Sequence, residues 1–76
     1  MVSIRQLEYL IGVAEEGHFG RAAERLNVSQ PTLSHQLKAL EERLGTALLD
    51  RAGRGVSVTP AGREIVDRAR AVLREV

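Results

Sequence analysis

Residues 19–40 read FGRAAERLNVSQPTLSHQLKAL, and their spacing decides the fold. Phe19, Ala22, Ala23 and Leu26 recur as one face of a short helix that ends at Asn27. Asparagine tolerates the left-handed backbone conformation that a tight helix exit requires. Ser29 then opens a longer helix, because its hydroxyl can accept an orphan N–H of the first turn. Pro31 lies in that turn, where its missing N–H breaks no intrahelical bond. Leu33, Leu37, Leu40 and Leu44 form the apolar stripe of this helix, and Gly45 closes it. A short helix, a turn of a few residues and an amphipathic helix make a helix-turn-helix layout. Ala23 is small where the two helices must approach, and Val28 fills the corner between them.

Outward from this unit, Ile4, Leu7, Leu10, Ile11 and Ala14 predict a first helix over about residues 4–16, with Ser3 as N-cap and Gly17 as stop. After Gly45 the period changes. Ala47-Leu48-Leu49 is a short apolar run and Val56-Ser57-Val58 alternates. Between them Arg51-Ala52-Gly53-Arg54-Gly55 forms a flexible basic tip, so the segment predicts a small β-hairpin. Thr59-Pro60 repeats the cap-then-proline signal and starts a fourth helix. Its apolar positions Ile65, Ala69, Val72 and Val76 step as a heptad-like seam, the pattern of a helix that needs a partner. The expected fold is mainly α with one small β-hairpin.

Composition removes several classes of function. Seventy-six residues are room for one small domain, and 43% apolar with 28% charged residues is the balance of a folded chain, not a disordered one. The absence of cysteine excludes disulfides, thiolate zinc sites and a cysteine nucleophile, and points to a reducing compartment, the cytoplasm. The apolar runs are too short to span a membrane, and Arg5 and Glu8 break up any secretory signal at the N-terminus. His18 and His35 are the only histidines, and neither stands in a nucleophile or metal-ligand pattern. No catalytic residue, metal site or cofactor is therefore expected, and the chain does not read as an enzyme.

The net charge of +1 conceals a segregation. Residues 1–16 sum to −2, residues 17–38 to +2, and residues 51–63 carry three arginines and no acid. On a helical wheel with Leu33 at zero, Leu37, Leu40 and Leu44 fall within about 40°. Pro31, His35, Lys38 and Glu42 fall at about 140–200°, with Ser34 flanking them. Gln30 and Thr32 sit at the N-terminal tip, where a recognition helix meets base edges in the major groove of DNA. Gln30, Pro31, Thr32, Ser34 and His35 are thus candidate base-reading residues: glutamine pairs bidentately with adenine, and serine or threonine can serve several bases. Arg21, Ser29, Lys38, Arg51, Arg54 and Thr59 are candidate phosphate contacts, Arg51 and Arg54 from the hairpin and Thr59 from a helix N-terminus. Each has a plainer role open to it. Ser29 is a helix cap in any context, Arg21 can pair with a nearby glutamate, and the hairpin tip can be a solvated basic loop. The competing class is a helical protein–protein interaction or dimerisation module with an incidental basic surface. Ser29 to Ser34 lack the large apolar anchors such a surface presents.

Ala22-Ala23-Glu24-Arg25-Leu26-Asn27-Val28-Ser29-Gln30-Pro31-Thr32-Leu33-Ser34 resembles the helix-turn-helix signature of LysR-type transcriptional regulators, as do Leu40-Glu41-Glu42-Arg43-Leu44-Gly45, Leu48-Leu49-Asp50-Arg51 and Thr59-Pro60-Ala61-Gly62. Leu7-Glu8-Tyr9-Leu10, His18-Phe19, Val66-Asp67 and Val72-Leu73-Arg74-Glu75-Val76 are similar to the peroxide-responsive members of that family. The resemblance implies a winged helix-turn-helix domain over residues 1–58 and the start of a linker (dimerisation) helix over 59–76. It implies an effector-binding domain absent from this chain. It also implies double-stranded DNA as partner, bound by a homodimer on an interrupted inverted repeat, with higher oligomers in the full-length protein and no membrane association. The family's reading and phosphate-contacting positions fall on Gln30, Pro31, Ser34, His35 and Lys38, its polar first turn on Ser29 and Thr32, and its basic wing on Arg51 and Arg54. The pairing helix carries Ile65, Ala69, Val72 and Val76.

Overall fold

A computed structural model describes residues 2–51, 53 and 55–74. Four helices and one hairpin follow in the expected order: α1 (Ile4–Glu16), α2 (Phe19–Leu26), α3 (Gln30–Leu44), β1 (Leu49–Asp50), β2 (Ser57–Val58) and α4 (Pro60–Arg74). Local chemistry sets most of the boundaries. The Ser3 hydroxyl accepts the Gln6 N–H at 3.1 Å while the Ser3 N–H donates to Gln6 Oε1 at 3.1 Å, a reciprocal capping box. Gly17, Asn27 and Gly45 end α1, α2 and α3, each at φ of 60° to 69° in the left-handed region. The Ser29 hydroxyl accepts the Thr32 N–H at 3.2 Å and starts α3.

α1 packs against α2, α3 and α4 and so forms the centre of the bundle. Its fully buried face is Tyr9, Leu10 and Val13, with Leu7, Ile11 and Ala14 half-buried and Ile4 57% exposed. The inward surface is therefore wider than the stripe expected from Ile4 to Ala14 and turned away from Ile4, because neighbours contact this helix on several sides. Leu33, Leu37 and Leu40 of α3 are fully buried, as are Leu48 and Val66. Leu44 is exposed, as are the residues from it to Ala47, so the last turn of α3 projects past the packed body.

The hairpin is shorter than its apolar arms suggest. β1 and β2 pair antiparallel over two residues each, Leu49 with Val58 and Asp50 with Ser57. Tertiary bonds hold it in place. Glu41 of α3 accepts the Leu48 and Leu49 N–H groups on one carboxylate oxygen at 2.8 and 3.1 Å, and the Val56 N–H donates to the Gly17 carbonyl at 3.1 Å. At the start of α4 the Thr59 N–H donates to the Leu48 carbonyl at 3.0 Å and its hydroxyl donates to the Ala47 carbonyl at 2.7 Å. The same hydroxyl accepts the Gly62 N–H at 3.0 Å. Gly62 brings the backbone of α4 against Leu48: a Cβ there would lie 2.1 Å from the Leu48 carbonyl oxygen.

Ala69 corrects the seam expected on α4. It is 3% exposed and lies on the buried side of the helix within this chain, whereas Val72 is 55% exposed and Ile65 is half-buried against the core. A heptad-like spacing marks an apolar face without saying whether its own chain or another covers it, and at Ala69 its own chain does. Val76, expected in the same seam, lies outside the described residues.

Candidate nucleic-acid interface

The burial of Leu33, Leu37 and Leu40 turns the opposite face of α3 to solvent. Pro31, His35 and Lys38 are exposed on it, with Ser34 half-buried at its edge, and Gln30 and Thr32 are exposed at the N-terminal tip of the helix. At about 1.5 Å per residue the fifteen residues of α3 span roughly 22 Å, and a bare helix face of that length fits the ~12 Å wide major groove of DNA.

The hairpin folds back on this surface. Phe19, Gln30, Pro31, Ser34 and Arg51 line an open concavity of about 350 Å³, and the Arg51 guanidinium carbon stands 4.8 Å from the centroid of the Phe19 ring. One wall comes from α2, the floor from α3 and the cation from the residue after β1. His35, Lys38, Ala39 and Glu42 line a second, smaller concavity of about 250 Å³ one turn further along α3. Arg54, expected beside Arg51 on the hairpin, lies outside the described residues.

Ion pairing separates the cations into two groups. Arg25 is bound to Glu15 at 2.6 Å and to Glu16 at 3.2 Å, and Arg70 of α4 reaches the same Glu15 at 2.9 Å. The Arg25 hydrogen bond, seconded by Arg70, holds the Glu15 carboxyl below the ordinary glutamate range against a smaller opposing effect of burial. The two glutamates raise Arg25 in turn, Glu15 more than Glu16. This network ties α1, α2 and α4 together and occupies their charges with one another. Among the described residues no ion pair involves Arg21, Lys38 or Arg51 beside α3, nor Arg5, Arg43 or Arg74 elsewhere, so no carboxylate neutralises the three beside α3. The ion pair that the sequence left open to Arg21 is not among those of the described residues.

Two nominated phosphate contacts also serve as helix caps. Ser29 and Thr59 are helix caps whose hydroxyl hydrogens are already donated, to Thr32 Oγ1 at 2.9 Å and to the Ala47 carbonyl at 2.7 Å. The Thr59 N–H is bound to the Leu48 carbonyl as well. The sequence reading gave no structural role to His18 or Gly20. His18 caps α2, its Nδ1 accepting the Gly20 N–H at 3.1 Å and the Arg21 N–H at 3.3 Å. Gly20 packs closely on this cap: a Cβ there would lie 3.0 Å from His18 Cε1 and 3.2 Å from His18 Nδ1. No described helix is long and apolar enough to cross a membrane, and no group of three potential metal ligands comes together among the described residues.

Three stacked helices, an amphipathic helix with a bare polar face and a two-stranded hairpin beside it define a winged helix-turn-helix domain. Residues 4–63 match the model of the bacterial regulatory helix-turn-helix proteins of the lysR family. The chain belongs to that family, and membership among transcriptional regulators agrees with the expectation that it is not an enzyme. It is 56% identical over 75 residues to the DNA-binding transcriptional dual regulator OxyR of Escherichia coli K12, an alignment that covers 99% of this chain and 25% of that protein. Its structure is similar to full-length OxyR C199D from Pseudomonas aeruginosa, with a TM-score of 0.93 and 45% identity over 99% of this chain and 25% of that one. It is equally similar to the BenM DNA-binding domain in complex with benA site 1 DNA, with a TM-score of 0.93 and 40% identity over 97% of this chain and 83% of that one. The chain spans a quarter of the length of the OxyR proteins it matches.

Proposed function

We propose that this chain is the sequence-specific, double-stranded-DNA-binding module of a bacterial LysR-type transcription regulator. α3 enters the major groove, and the basic wing of residues 51–55 lies on the backbone or in the adjacent minor groove. The observation that carries this reading is the concavity lined by Gln30, Pro31 and Ser34 of α3 and Arg51 of the wing, continued along α3 by His35 and Lys38, with Arg51 and Lys38 in no ion pair among the described residues. The similarity to the BenM domain, described as a DNA complex, supports it. In this reading the cations supply salt-dependent affinity, Gln30 and its neighbours supply sequence choice, and residues 1–58 form the binding unit. Residues 59–76 begin the helix that pairs two copies, Val72 being its exposed apolar position, so a homodimer reads an interrupted inverted repeat. The effector domain belongs to the whole regulator, which acts in the cytoplasm on the nucleoid.

Gln30→Ala tests the reading. A lost bidentate base contact costs about 1–3 kcal/mol, roughly 5- to 150-fold in affinity, on a selected operator. Binding to random duplex should hardly change. Equal loss on both duplexes contradicts base reading by α3. The exposed Val72 also suits a protein-interaction module, and for that reading duplex binding would be weak and indifferent to Gln30.

A further inference from the structure

We propose that Phe19 is a positioning residue for DNA binding: its ring holds the Arg51 guanidinium at the N-terminal end of α3, poised for a backbone phosphate at the edge of the groove. The inference rests on the DNA-binding reading above and assigns Arg51 to the helix surface instead of to the far reach of the wing. The guanidinium stands 4.8 Å from the ring centroid, and both residues line the same concavity as Gln30, Pro31 and Ser34.

The chemistry of the support matters. A long arginine side chain in solvent loses rotamer freedom when it grips a phosphate, and a fixed starting geometry removes part of that loss. A carboxylate would also fix it, but would neutralise the charge and occupy the donors, as Glu15 and Glu16 do for Arg25. An aromatic face does neither. It attracts the cation through its quadrupole and leaves the in-plane N–H groups open for a bidentate oxyanion contact. Phe19 is itself half-buried and packed on the core, so the platform is rigid, while Arg51 is exposed. No ion pair among the described residues involves Arg51, so its charge is intact.

The test is a double-mutant cycle on a fluorescent duplex of random sequence, titrated in KCl, with folding of each variant checked by circular dichroism. Arg51→Ala should weaken binding and reduce the salt slope by about 0.9, one phosphate contact. Phe19→Leu should weaken binding about two- to fivefold with Arg51 present and not at all in the Arg51→Ala background, and Phe19→Tyr should bind like the unsubstituted chain. Arg51→Lys, a change at an exposed position, should keep the slope and lose a similar two- to fivefold, because an ammonium lacks the planar fork. Equal losses from Phe19→Leu in both backgrounds would mark a packing role only and overturn the proposal. So would an Arg51→Lys chain that binds as tightly as the original, or an Arg51→Ala chain with an unchanged slope while the original binds DNA. Failure of the unsubstituted chain to bind duplex at all would overturn the DNA-binding reading itself, and this proposal with it.

Discussion

Gly62→Ala places a methyl group where the start of α4 meets the wing. The added Cβ would lie 2.1 Å from the Leu48 carbonyl oxygen, 2.9 Å from its carbonyl carbon and 3.2 Å from its Cα, all backbone atoms. Leu48 cannot yield freely, because its N–H is bound to Glu41 at 2.8 Å and its carbonyl accepts the Thr59 N–H at 3.0 Å. Relief requires α4 to move off the strand, which loses hydrogen bonds worth about 1 kcal/mol each and adds overpacking strain of about 1–3 kcal/mol. Alanine regains about 1 kcal/mol in helix propensity, leaving a net loss of about 2–3 kcal/mol. For a domain of this size each kcal/mol is roughly 4–8 °C in Tm, so the melting point should fall by about 10–20 °C. Gly12→Ala is the matched control, since its Cβ meets the Leu26 Cδ1 methyl at 2.9 Å, the far end of a side chain that can rotate. Its cost should stay within about 1 kcal/mol, strain and propensity opposing each other. Thermal and urea denaturation followed by circular dichroism compare the two. A Gly62→Ala chain as stable as Gly12→Ala would refute the close packing of α4 on the wing.

Three further outcomes follow from the hydrogen bonds and ion pairs. Glu41→Ala removes the acceptor of two backbone N–H groups at the root of the wing and should cost about 1.5–3 kcal/mol in urea denaturation, whereas loss below 0.5 kcal/mol would mean that water replaces the carboxylate without penalty. Glu15 has a folded-state pKa held below its ordinary value of 4.5, so its contribution is present above that value and is lost as pH falls through the depressed one. The pair is about one-third exposed and screened, so Glu15→Gln should cost at most about 1 kcal/mol at neutral pH, and the difference should vanish as pH is lowered well below 4.5; a pH-independent difference would rule out the ion pairs as its cause. His18→Ala removes the cap of α2 and should cost about 1 kcal/mol, while His18→Asn restores an acceptor and should recover most of it; identical stabilities for the two variants would dismiss the cap.

Elements bounded by local chemistry were legible from the residues alone. Ser3, Ser29, Gly17, Asn27 and Gly45 act within a few positions of themselves, so all three helices of the bundle that precede the hairpin end where their caps predict. The exposed face of α3 was legible for the same reason, since three leucines at helical spacing leave only one orientation. What required the folded chain is non-local. Glu41 reads as a solvated acid until the chain turns at Gly45 and brings the Leu48 and Leu49 amides to it. Thr59 was legible as a cap, but its hydroxyl also donates to the Ala47 carbonyl, twelve residues back, a bond that only the folded chain shows. His18 serves as a cap only through an unprotonated Nδ1, a role outside the usual serine, threonine, aspartate and asparagine signals. Arg21 and Arg25 are indistinguishable as sequence, four positions apart on one helix, and only the placement of Glu15 and Glu16 shows which one is occupied.

The central claim is that α3 reads base sequence while the cations around it supply affinity. Selection of bound sequences from a random duplex library across a salt series tests both parts at once. The account predicts enrichment of an interrupted inverted repeat and an affinity that falls steeply with salt. Binding that is weak, unselective and insensitive to salt would contradict it.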